Sequence, residues 1–145
     1  RPHTETEIRR KLYRKGYNKE TVTKTIRQAP DAGLIDDGNF ARLYVDEKLS
    51  IGSQGRRKII ADLRRRGVKQ ELIDAAFEAF AQTHGEDTEW ENILAVAQRK
   101  WRHLEREPDP HKRRHKLLSF LANRGFDRSL AYRVLEACTG RSEDL

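Results

Sequence analysis

Two aspartates, Asp36 and Asp37, stand side by side in a chain whose lysines and arginines outnumber its acids 30 to 23. Adjacent carboxylates can hold a metal ion, serve as acid and base, or open a helix. A calcium loop starting at Asp36 needs alternating oxygen ligands and a distal glutamate. Glu47 stands at the right distance, but the intervening ligand positions fall on Gly38 and Phe40, which offer no side-chain oxygen. A nuclease-like site joining these aspartates to Asp46 and Lys48 would need strands to carry it, and no strand pattern surrounds them. The remaining chemistry is that of a helix start, where negative charge meets the positive end of the helix dipole and a carboxylate caps a free N–H.

The other reactive residue types read in the same way. His111 and His115 have i, i+4 spacing, but HKRRH surrounds them with cations that repel a metal ion, and no acidic ligand stands beside them. Cys138 has no histidine partner in view and is expected to pack as a small apolar residue. No glycine-rich phosphate loop is present. These residues predict a protein that is not an enzyme, with no cofactor and no metal.

The bulk composition agrees. Charged residues make up 37% of the 145 and hydrophobic ones 36%, so thin layers of short amphipathic helices suit the chain better than one thick core. The net charge of +7 points to a polyanionic partner, nucleic acid first. A single cysteine excludes an internal disulfide, and together with the lack of any membrane-length apolar run it predicts a cytoplasmic protein. The chain has no methionine and begins at Arg1, so its natural start is expected upstream.

The elements that carry these residues recur. KLYRKGYNKETVTKTI, DLRRRGVKQELIDAAF and FLANRGFDRSLAYRVL share one plan around Gly16, Gly67 and Gly125. Each has a leucine four residues before the glycine (Leu12, Leu63, Leu121), a cation directly before it, and an apolar or aromatic residue directly after. A helix ends in cations that suit its dipole, glycine supplies a left-handed turn, and a second helix begins two residues later. Asn18 and Asp127 are suitable caps for that second helix; Lys69 is a poor one. Longer helices, near 37–50 and 88–106, stand between the hairpins and place Phe40 and Trp90 toward the core. Thr4 with Glu7, and Thr88 with Glu91, have capping-box spacing; Asp109–Pro110 supplies a cap and first helical residue. The fold predicted is all-α, built of tandem three-helix repeats. The first occupies 1–35 and lacks its leading helix; the second occupies 36–84, the third 85–140, and 141–145 form a tail.

One helix of each repeat is strongly basic. Arg56, Arg57, Lys58, Arg64 and Arg65 load the second repeat, with Ile59, Ile60 and Leu63 forming the apolar face of the same helix. Lys112, Arg113, Arg114 and Lys116 load the third repeat; Arg9, Arg10, Lys11 and Arg14 load the first. Such a stripe can follow phosphates or an acidic groove. Lys15, Arg66 and Arg124 need only the helix dipole to explain them. Among the aromatics, Tyr13 and Tyr17 flank a basic turn and are the best placed to be exposed.

HTETEIRRKLYRKGY, GLIDDGNFARLYV, GSQGRRKIIADLRRRGV and PDPHKRRHKLLSFLANRGF, in this order, resemble the RecX family of regulators of the RecA recombinase. The resemblance covers nearly the whole chain. It departs from the family at Arg56, where a proline is common, and at Trp101, where phenylalanine is frequent. It implies a curved, elongated array of three-helix repeats and a non-enzymatic role in DNA repair, recombination and the SOS response. It further implies binding to RecA filaments on single-stranded DNA, limiting filament growth, strand exchange and ATP turnover. A monomer that also contacts DNA, single-stranded or duplex, and touches no membrane is expected. The other reading the residues allow is a stand-alone helical module that binds DNA without sequence preference; its third helices look too apolar to read bases.

Overall fold

A computed structural model describes residues 3–29 and 36–140. Leu34 and Ile35, where the first hairpin was expected to stop, and the 141–145 tail lie outside the described residues. Among those described, the chain forms eight α-helices and no β-strand. The first repeat supplies α1 (Glu5–Arg14) and α2 (Lys19–Gln28). The second supplies α3 (Asp37–Ile51), α4 (Arg56–Arg65) and α5 (Gln70–His84). The third supplies α6 (Thr88–His103), a 3-10 turn at Leu104–Arg106, α7 (Pro110–Asn123) and α8 (Arg128–Thr139).

Side chains close most of the helix starts. Thr4 accepts from the Glu7 amide, Asn18 from Thr21, Asp109 from His111 and Asp127 from Leu130. Asp36 accepts from the Asn39 amide at 2.9 Å, so it caps α3 as its position predicts. Asp37 does something else: its Oδ1 accepts from the Glu5 amide at 2.9 Å, capping α1 rather than its own helix. The expected box at Thr88 does not form. Asp87 precedes α6 with helical dihedrals and no side-chain cap, and the Thr88 hydroxyl donates back to the carbonyl of His84. The carbonyl at the end of α5 lies past the reach of its own helix's amides, and the tight turn at Gly85 brings it within reach of that hydroxyl.

The chain divides into two compact units, Arg1–Val45 with Ile60–Thr83 and Asp46–Ile59 with His84–Leu145, and α3 and α4 supply residues to both. In the first unit α1 and α2 pack as a hairpin. Val22, Ile26, Phe40, Val45, Leu63, Ile73, Phe77 and Phe80 are buried there. Tyr44 donates its hydroxyl to Asp62 at 2.9 Å, and the Arg66 guanidinium lies over the rings of Phe40 and Tyr44. In the second unit α6, α7 and α8 pack against one another. Their core is Ile93, Ala97, Leu117, Leu121, Phe126, Ala131, Val134 and Leu135, with Trp90, Trp101 and Cys138 partly buried against it. Each large apolar side chain removed from water in these cores contributes about 1.5–3 kcal/mol.

The glycine turns do more than end helices. In the first unit the Thr4 hydroxyl donates to the carbonyl of Arg66, and the Gly67 turn lies so close to α1 that an added Cβ would sit 2.0 Å from Thr6 Oγ1. In the second unit the Gly55 amide donates to the carbonyl of Arg124 at 2.7 Å. A Cβ on Gly125 would fall 2.4 Å from that of Lys58. One arrangement therefore occurs twice: the N-terminus of a basic helix docks on the glycine turn that follows in the next repeat. Gly16 has the same positive φ, yet no described atom lies within 4 Å of its would-be Cβ.

Candidate partner-binding surface

The basic helices meet water as their amphipathic pattern requires, but their cations are not equivalent. In the first unit Arg10 and Arg14 of α1 are exposed, as are Arg64 and Arg65 at the end of α4. Arg10 donates to the carbonyl of Arg65 at 3.2 Å, so the two basic segments lie side by side. Arg64 is held by Gln70, Arg65 pairs with Asp62, and Arg9 pairs with Glu5 at 3.4 Å. Lys11 and Arg14 have no carboxylate partner among the described residues, and Tyr13 beside them is 43% exposed.

In the second unit Arg56 is engaged by Glu89 through a two-pronged contact with N–O distances of 2.6–3.1 Å. That hydrogen bond, with the charge behind it, holds the guanidinium above its ordinary pKa. Lys116 pairs with Glu107 at 3.6 Å. Arg113 turns inward: its guanidinium lies 3.7 Å from the centre of the Trp101 ring and donates to the Trp101 carbonyl at 2.6 Å. It therefore acts as a bolt between α6 and α7, with its Nε buried and unpaired. Arg57, Lys58, Lys112 and Arg114 have no acidic partner among the described residues. Sequence spacing alone places all these cations on one kind of helix. It does not show that Arg113 and Arg56 are engaged, because their partners lie 12 and 33 residues away.

The chemistry-bearing residues make no second site. Among the described residues, no group of three or more histidine, cysteine, aspartate or glutamate side chains is placed to hold a metal ion. Cys138 is half-buried against the core, and that burial raises its thiol pKa. Asp37 also stands above the usual aspartate range, first through desolvation and then through the nearby Glu5, Asp36 and Glu7 charges, against the lowering effect of its bond to the Glu5 amide. No helix among the described residues is long and apolar enough to cross a membrane.

Domain profiles of RecX match the chain in register with these helices: the first three-helix domain at residues 1–28, the second at 36–76 and the third at 87–135. Regulatory protein RecX of Chlorobaculum tepidum is 32% identical over 149 aligned residues, spanning 100% of this chain and 88% of its own length. The chain belongs to the RecX family. Regulatory protein RecX of Clostridium botulinum is 34% identical, and the match takes in 85% of this chain but only 56% of that protein. Two crystal structures share the fold. RecX from Lactobacillus salivarius superposes with a TM-score of 0.76 at 17% identity, covering 96% of this chain and 87% of its own. A second, of a regulatory protein RecX, gives a TM-score of 0.77 at 24% identity, covering 92% of this chain and 65% of its own. RecX repeats thus account for the all-α tandem architecture.

Proposed function

We propose that the protein is a non-enzymatic, cytoplasmic regulator that binds RecA filaments on single-stranded DNA. There it limits filament growth, strand exchange and ATP turnover. The observation that carries this reading is the repetition, on the basic helix of every repeat, of cations without acidic partners among the described residues: the exposed Lys11, Arg14, Arg57, Lys58 and Lys112, with the half-buried Arg114 beside the last. A polyanionic nucleoprotein surface satisfies charges that the chain leaves unsatisfied. Family membership supplies the regulatory role. The third helices favour this reading over a self-sufficient DNA-reading module, because α5 and α8 bury Ile73, Phe77, Phe80, Val134 and Leu135 rather than presenting polar side chains to base edges.

The test compares affinity for naked single-stranded DNA with affinity for the assembled filament at several salt concentrations, with filament ATPase followed in parallel. A regulator binds the filament more tightly and lowers its ATP turnover. Equal affinity for both, with a salt slope of about −0.7 per phosphate contact on the single strand and unchanged ATPase, makes the protein a DNA-binding module instead.

A further inference from the structure

The second unit has a basic concavity apart from the partner-free cations of the surface described above. The end of α3, the outer face of α6 and the C-terminal end of α7 enclose about 260 Å³ of open space. Ile51, Val96 and Phe120 give it an apolar floor, and Ile51 is 61% exposed, an unusual state for an isoleucine. Arg99, Lys100 and Arg124 form its rim, with His103 alongside. No aspartate or glutamate lines it, and none of these four basic side chains has a carboxylate partner among the described residues. The Lys100 ammonium lies 5.1 Å from the centre of the Phe120 ring and the Arg124 guanidinium 4.5 Å. Arg124 is further fixed by donating to the carbonyl of Ser53 at 3.1 Å. The rim charges are therefore held in place around the apolar floor, and a charged partner loses less entropy on meeting them.

We propose that this groove docks an acidic protein segment that inserts an apolar side chain between Ile51 and Phe120. Charge complementarity identifies the segment as acidic, and the floor requires something more than charge. A sugar–phosphate backbone has no large apolar group to cover Ile51 and Val96. A base would stack best on Phe120, whose ring is already occupied by two cations. An acidic peptide carrying a leucine or phenylalanine meets both demands, its carboxylates reaching Arg99, Lys100 and Arg124 while its apolar residue covers the floor. This inference does not rest on the recombinase reading, and its test uses no recombinase.

The experiment is a solution NMR titration of the full chain with a twelve-residue peptide alternating aspartate or glutamate with leucine and phenylalanine. It is repeated with a peptide of equal charge in which serine replaces the apolar residues, and with a dT12 oligonucleotide. Amide shifts should gather at Ile51, Val96, Arg99, Lys100 and Phe120. The Ile51→Asp and Arg99→Glu variants should each weaken the peptide by about tenfold or more, while Arg102→Glu, outside the groove, leaves it unchanged. Both groove positions are exposed, so circular dichroism should show an intact fold. Three results overturn the proposal: equal binding of the serine peptide, binding indifferent to the groove variants, or dT12 shifting the same amides more tightly than the acidic peptide. The last would make the groove a nucleic-acid site.

Discussion

Asp37 shows how a residue's chemistry is decided by what the fold brings to it. Its neighbour Asp36 does what its position predicts and caps α3. Asp37 reaches back 32 residues to the Glu5 amide instead, in a half-buried setting crowded by Glu5, Asp36 and Glu7, so its carboxyl is held above the ordinary value of 3.8. A raised carboxyl pKa means that the folded state binds the proton more readily than the unfolded chain, so the ionised group costs stability above its folded pKa. That cost fades as pH falls through the folded pKa and is gone below the ordinary value. Asp37→Asn keeps the acceptor and removes the charge, so at pH 7 the variant should be at least as stable as the parent. Asp37→Ala loses the acceptor and should be destabilised by about 1 kcal/mol. Urea denaturation across pH 3 to 7 checks both. The advantage of asparagine should vanish on the acid side of 3.8, and an advantage that persists there would assign it to something other than the charge.

At the scale of elements the same glycine serves two purposes, and only one can be read from the chain. That Gly16, Gly67 and Gly125 end helices is legible from the cation before each and the apolar residue after. All three do adopt positive φ, near 90°. The docking of Gly67 on Thr6 and of Gly125 on Lys58 is not legible, because it joins segments roughly sixty residues apart and leaves no local pattern. The failed box at Thr88 has a similar cause: the carbonyl of His84 takes its hydroxyl, and capping spacing takes no account of what lies upstream. Substitution separates the two purposes. Gly16→Ala incurs only the left-handed backbone strain, about 1 kcal/mol. Gly125→Ala adds a collision with the backbone of Lys58 and should cost about 3 kcal/mol or more. Gly55→Ala has no positive φ but would place its Cβ 2.4 Å from the Gly125 carbonyl, so it should also cost more than Gly16→Ala. Denaturation midpoints of the three variants provide the comparison. If all three lose equally, the turns are helix stops and nothing else.

At the scale of the whole molecule, the excess of positive charge is spread over repeats, and its use depends on how many of them bind at once. Repeat spacing and the basic face of each second helix stand out in the sequence, because amphipathic periodicity and glycine placement are local signals. The division of the cations into free and committed ones is not local: Arg113 is taken up by Trp101 and Arg56 by Glu89, whereas Arg14, Arg57 and Lys112 have no such partner among the described residues. Charge reversal at the free positions therefore tests binding without removing internal ion pairs. A Lys11→Glu, Arg14→Glu pair alters the first unit alone, and an Arg57→Glu, Lys112→Glu pair alters the second alone. If both surfaces engage one filament, each pair should weaken filament affinity by about tenfold or more at low salt. The quadruple variant should then lose at least the product of the two effects, and the differences should shrink as salt screens the contacts. Thermal unfolding should be little changed, since none of the four positions carries an ion pair among the described residues. If reversal in one unit proves silent, that unit's basic helix is a solvated face and binding belongs to the other.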